Sequence, residues 1–325
     1  MIPKDYPYMY ARVSAKKKKL FTEREYDNLL KMDVNEISRK MEEGSYKEEI
    51  NELGTNYDGA ALIERALNLN LANTYEKLMA VSSEDARPLI RTYLRRFDII
   101  NIKRIIRWKK TDQKREIEHI LYPVGTLGLS FEEIREDSVE ELIEKLDFSD
   151  TNINYSSEIE KCDSLKEIED CLDRLYSEEL RELANKSGSR EFKKFVKEEQ
   201  FNQDLQLALR MKKYEIEPEE IRSKLFNHEK ELEEVLESDY DQALKLAKQM
   251  TGLQAENLEE FESKMKHDRL ERALRTLHRE PLGLSSVIGY IVAKEIEIEN
   301  LRIIARAKET GIQNNDTVRD NLVIL

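Results

Sequence analysis

The chain has 325 residues and a formal net charge of −13, with 37% charged and 39% apolar residues but only 10 glycines and 6 prolines. Strand-rich folds consume glycine and proline at their many turns, so this composition excludes a sandwich or barrel and favours long helices with few connections. The apolar content excludes wholesale disorder. No apolar run approaches the roughly 18 residues that span a bilayer, so membrane association is expected only through a partner.

Met1 to Tyr10 lacks the charged-then-apolar signature of a secretory leader. Thr22 with Glu25 makes a capping box ahead of an amphipathic run through Lys31, and Asp33 with Glu36 repeats the signal before Ile37 and Met41. Residues 60–80 read as the next helix. Pro88 fits the first turn of the one after, where its missing N–H costs nothing. Along that helix Leu89, Tyr93, Phe97 and Ile100 fall on one apolar stripe, widened by Leu94, Ile102, Ile105 and Ile106. Residues 122–128 are the clearest break. Ser130 with Glu133, and Ser138 with Glu141, cap two further helices. Residues 152–157 read as a polar loop. Helices over about 164–186 and 189–213 are separated by Ser187-Gly188-Ser189. Pro218 and Gly252 punctuate the next stretch. Pro281 and Gly283 precede a long final helix from about Ser285 to Thr310, which Gly311 stops as a left-handed cap.

Self-similarity runs through this series. Ile63-Glu64-Arg65-Ala66-Leu67-Asn68 reappears as Leu270-Glu271-Arg272-Ala273-Leu274-Arg275. The longer helices that follow share a second pattern, Asp98 to Arg107 against Glu297 to Arg306, in which Asn101 and Asn300 coincide. A weaker copy from Asp204 to Arg210 puts Asp204 in the asparagine's place. The copies end alike, in Arg107-Trp108-Lys109-Lys110, Arg210-Met211-Lys212-Lys213 and Arg306-Ala307-Lys308. These offsets divide the chain into three units, residues 1–120, 121–216 and 217–325, each large enough for its own core. Asn101 and Asn300 are expected to bond a neighbouring helix or to face water.

Signatures of chemistry are absent. No phosphate-binding loop, dinucleotide fingerprint, HExxH or EF-hand loop occurs, and the four histidines stand apart from one another. Catalytic, cofactor and metal residues are therefore expected to be none. Cys162 and Cys171 have neither redox nor zinc spacing, which suits a reducing compartment. Charge is the one asymmetry. Residues 86–115 hold eleven basic residues against Asp98 and Asp112, a local charge of +9 that leaves −22 for the rest. Either this is a solvated helix face, or Arg91, Arg95, Arg96, Arg104, Arg107, Lys109 and Lys110 meet an acidic partner.

Four segments together are similar to one family. They are Tyr8 to Ser14 at the start, Arg87 to Lys103, and Tyr290 to Arg302 with the closing Thr317 to Val323. They resemble the C-subunit family of archaeal-type (A-type) ATP synthases, which corresponds to the d-subunit family of vacuolar (V-type) ATPases. The resemblance implies an all-α fold of three similar helical domains in a pseudo-threefold, funnel-shaped arrangement. It also implies a non-catalytic seat between the central-stalk shaft (D- and F-type subunits) and the proteolipid ring, peripheral to the cytoplasmic face of the membrane. Two alternatives remain from the residues alone: a helical nucleic-acid-binding protein using residues 86–115, or a generic helical adaptor.

Overall fold

A computed structural model describes residues 6–110, 117, 121–123, 131–145, 153–226, 230–279, 284–312 and 314–324. Among these, every regular element is helical. In chain order the helices are α1 (Tyr6–Lys17), α2 (Glu23–Leu29), α3 (Val34–Glu42), α4 (Lys47–Leu53), α5 (Gly59–Ala80), α6 (Ala86–Lys110), α7 (Phe131–Glu136), α8 (Val139–Lys145) and α9 (Tyr155–Ile159). They continue with α10 (Leu165–Lys186), α11 (Arg190–Lys213), α12 (Pro218–Arg222), α13 (Lys230–Glu237), α14 (Tyr240–Thr251), α15 (Leu258–Arg279), α16 (Leu284–Glu309) and α17 (Asn315–Arg319).

Local chemistry sets the boundaries. The capping boxes at Thr22 and Asp33 form as the sequence predicts, with Thr22 N donating to Glu25 at 2.7 Å and Glu36 N to Asp33 at 2.9 Å. Ser138 and Glu141 exchange the same pair of bonds ahead of α8. Ser130 lies outside the described residues. Pro218 takes the first position of α12, and Gly252 and Gly311 end α14 and α16 at φ 73° and 75°. Glu215 ends α11 in the same left-handed conformation (φ 57°) without being glycine. Both α11 and α16 close with the same wide bond, Ile216 N to Met211 O at 3.1 Å and Ile312 N to Ala307 O at 2.9 Å.

The chain divides into two compact units, Met1–Ser82 with Glu198–Leu325, and Ser83–Lys197. In the first unit α16 packs against α1, α3, α5 and α15. Most of α16 is buried, which its apolar run demands of a helix hydrophobic on all sides. A second core in that unit gathers Leu205, Leu209, Val235, Leu236, Ala247 and Phe261 from α11 and α13–α15. In the other unit α6 and α10 lie together over a core of Ile99, Ile102, Tyr155, Leu172 and Leu175. Cys171 belongs to this core with Cys162 packed against it. Burial, then the neighbouring Cys171 thiol, pushes the Cys162 thiol up to about 11.

The apolar stripe of α6 holds except at Ile100, which is 36% exposed while Leu89, Tyr93 and Phe97 are buried. The helix core instead turns through Asp98, Asn101 and Ile102, because Asn101 is needed inside for the bonds described next.

Candidate interaction surface

The long helices come in consecutive pairs, and the second helix of each pair carries one polar bracket. Asn101 on α6 donates to Tyr122 O and accepts from Tyr122 N, both at 2.9 Å. Asn300 on α16 does the same to Val323, at 2.8 and 2.9 Å. Asp204 on α11 accepts from Phe226 N at 2.8 Å. All three residues are buried. Each fixes a chain segment that has left its helix, satisfying main-chain groups that burial would otherwise leave costly.

Six residues beyond each bracket stands an arginine. Arg107 pairs with Glu169 on α10 through two bonds of 2.6 Å, Arg210 with Glu262 on α15, and Arg306 with Glu64 on α5. Hydrogen bonding to their glutamates pushes Arg107 and Arg210 further up. Two residues further on, a lysine ammonium binds a carbonyl at the C-terminal end of a short helix. Lys109 reaches Arg135 O of α7 at 2.9 Å, Lys212 reaches Leu236 O of α13 at 2.6 Å, and Lys308 reaches Leu30 O just past α2 at 2.5 Å. A cation there satisfies an orphan carbonyl and the negative end of the helix dipole.

The shared endings of the sequence repeat are therefore internal braces in three positions. The Glu-Arg-Ala-Leu match is corrected by the same geometry. Ile63 is the fifth residue of α5 and Leu270 the thirteenth of α15, two helices of equal length. The ion pairs align Glu64 with Glu262, so the resemblance between Glu64 and Glu271 is out of register.

A buried charge precedes the bracket. Arg95, six residues before Asn101, is 1% exposed and pairs with Glu179 of α10, which also accepts from Tyr155 at 2.8 Å. Lys294, six before Asn300, is buried too. It donates to Glu297 at 2.7 Å and Tyr46 at 2.9 Å, and Tyr46 donates to Glu297 at 2.7 Å. Burial, reinforced by the adjacent carboxylate, raises both tyrosine hydroxyls well above their ordinary range. On α11 the equivalent position is Glu198, and its partner is Arg272 of α15 at 3.5 Å, so the charges are exchanged.

The seven cations expected at an acidic partner are thus distributed unequally. Arg95 is interior. Arg107 and Lys109 are committed to Glu169 and to α7. Arg91 is half-buried and Lys110 exposed at the end of α6. Arg96 is half-buried with its guanidinium 4.3 Å from the centre of the Tyr93 ring and 5.0 Å from that of Phe97. Arg104 lies 4.1 Å over Tyr122. Of these seven cations Arg95, Arg107 and Lys109 serve the helix's own unit. Sequence reasoning missed the Arg95 and Lys294 networks, although a lysine within the apolar run Val287–Ile296 was a visible sign of buried pairing.

Elsewhere, a cavity of about 240 Å³ lies between α11, α15 and α16, lined by Asn202, Gln203, Gln206 and Lys266 among others. Its charges are matched across it, Lys266 with Glu299 at 2.7 Å and Arg269 with Glu199 at 2.6 Å. No cluster of metal-ligating side chains and no helix long and apolar enough to cross a membrane occurs among the described residues.

Comparison with known proteins identifies relatives over nearly the whole chain. The family described as ATP synthase (C/AC39) subunit matches residues 9–319. The A-type ATP synthase C subunit of Methanococcoides burtonii is 32% identical over 98% of this chain and 94% of its own length. That of Halorubrum lacusprofundi is 34% identical over 98% and 97%. That of Archaeoglobus fulgidus is 29% identical over 98% and 96%.

Proposed function

Because the chain belongs to the ATP synthase (C/AC39) subunit family, we propose that it couples the rotating shaft of an A-type ATP synthase to the proteolipid ring in the membrane. Members of this family are structural, non-catalytic subunits of the complex, which makes ATP synthesis and ion transport the process served and membrane association indirect. The finer role is our reading. The shaft subunits of D and F type sit on one side, and the ring on the other at the cytoplasmic face.

The observation that most supports this reading is the bracket, arginine and lysine set recurring on α6, α11 and α16. A torque-bearing joint must resist twisting, and close-packed helices cross-braced by buried polar bonds deform little. Repetition of one brace distributes load over equivalent places. The test is affinity capture of tagged chain from detergent-solubilised membranes of the source organism. Recovery of ring and shaft subunits in constant ratio supports the proposal. Recovery of the catalytic sector without ring or shaft contradicts it.

A further inference from the structure

Charge is unevenly placed at the N-terminal end as well. Residues 6–22 hold Arg12 and Lys16 to Lys19 and no acidic residue, a local charge of +5 that leaves −18 for the rest of the chain. Buried Met9 and Val13 seat α1 in its unit, where it packs on α16. The turn beyond α1 is pinned from within. Phe21 N donates to Glu297 at 2.6 Å, and the Phe21 ring lies 5.8 and 6.3 Å from those of Tyr26 and Tyr46. Lys18 and Lys19 are exposed on this turn, and Lys16 is half-buried beside them, joined by the Lys19 N to Lys16 O bond at 3.0 Å.

The cations nearby have acceptors. Arg12 donates to the Tyr8 hydroxyl at 3.0 Å, Lys77 of α5 to Glu48 at 3.4 Å, and Lys294 of α16 to Glu297 at 2.7 Å. The ammoniums of Lys16, Lys18 and Lys19 make no hydrogen bond or ion pair among the described residues. Burial lowers the pKa of Lys16, and repulsion from Lys77, Lys294, Lys19 and Arg12 lowers it further. Like charges crowded in this way destabilise the fold, and a bound anion offsets that. The dipole of α1 favours a cation or two in its last turn and does not account for the crowding.

We propose that Lys16, Lys18 and Lys19 form the docking face for one short acidic segment of a neighbouring subunit, with three or more carboxylates within about two helical turns. A compact occupant is favoured over an extended polyanion. The rest of the chain carries a net −18, which repels an anionic bilayer or a nucleic-acid duplex reaching past α1, whereas a short acidic segment meets the cations alone. Lysine suits carboxylates that arrive singly, because each ammonium presents its donors on a flexible stem.

This rests on the chain working inside the rotary complex, and the experiment separates the two claims. The full chain, with a photo-crosslinking amino acid in place of Lys18, is co-expressed with the other subunits and captured through its own tag at low and moderate salt. One neighbouring subunit should be crosslinked, through a segment rich in Asp and Glu. Adding Lys16→Gln with Lys19→Gln should lower that crosslink about tenfold at low salt and less at moderate salt, and Lys16→Arg with Lys19→Arg should preserve it. Thermal melts of the purified chain report folding, and the glutamine pair should melt at or above the wild-type temperature because it removes only repulsion. A lower melting temperature would show that these lysines serve the fold and overturn the docking face. So would an undiminished crosslink in the glutamine pair, or crosslinks scattered over several subunits, onto lipid or within the chain itself. Capture of no other subunit overturns both claims. One acidic crosslink partner recovered without ring or shaft subunits upholds this face and overturns the coupling role.

Discussion

Replacing Asn300 by leucine removes both bonds to Val323 and leaves a buried N–H and a buried C=O without partners. Each orphaned group costs about 1–3 kcal/mol, so the loss for the two should be about 2–6 kcal/mol. Asn300→Asp keeps the acceptor that Asp204 uses on Phe226 but loses the donor, and should cost about half as much. Equilibrium urea denaturation followed by circular dichroism measures both. A chain lacking residues 322–325 closes the cycle, because Asn300→Leu should then cost under about 1 kcal/mol, its partner being gone. Equal cost with and without the C-terminal residues would refute the bracket as the source of the stability. So would a loss below about 0.5 kcal/mol in the full chain.

Other perturbations follow from the same geometry. Arg95→Met strands the Glu179 carboxylate in the core and should cost about 3–5 kcal/mol in the same denaturation assay, whereas Arg95→Met with Glu179→Gln should recover much of it. Lys109→Met, Lys212→Met and Lys308→Met should each lower the melting temperature slightly, for about 0.3–1 kcal/mol apiece, since each removes a cation from a helix C-terminus. The Cys162 thiol is raised from 9.0 to about 11, so its alkylation by iodoacetamide at neutral pH should run about 100-fold slower than in the urea-unfolded chain, read by mass spectrometry. Because that folded value lies above the unfolded one, the associated stability is present below pH 9 and declines as the pH rises through about 11.

Most helices were legible because their signals are local; the exception is α9, which starts inside the stretch 152–157 that read as a polar loop, capped by Asn154 accepting from Ser157 N at 3.1 Å. A capping box at Thr22 or Asp33 and a stop at Gly311 involve residues within one turn of each other. The repeat was legible where it lies on one helix, as in the Asn300-to-Lys308 pattern, whose spacing is fixed by helix geometry. It misled where the match was of composition. Glu64 and Glu271 share neighbours in sequence, but the glutamate of α15 that faces an arginine of the long helix, as Glu64 faces Arg306, is Glu262. The basic segment was legible only in part. Charge counts do not tell which cations turn inward, and Arg95 turns inward because Glu179, 84 residues away, waits there. Ile100 read as core because its neighbours at helical spacing are core. Asn101 claims the interior and rotates it out.

The most direct test of the coupling role uses inverted membrane vesicles stripped of their peripheral sector and rebuilt from purified components with or without this chain. ATP hydrolysis and ion uptake are followed together. With the chain, hydrolysis should drive uptake and be slowed by the gradient it builds. Without it, hydrolysis should continue while uptake falls to background, and adding the chain back should restore uptake. Equal uptake in its absence would contradict the role.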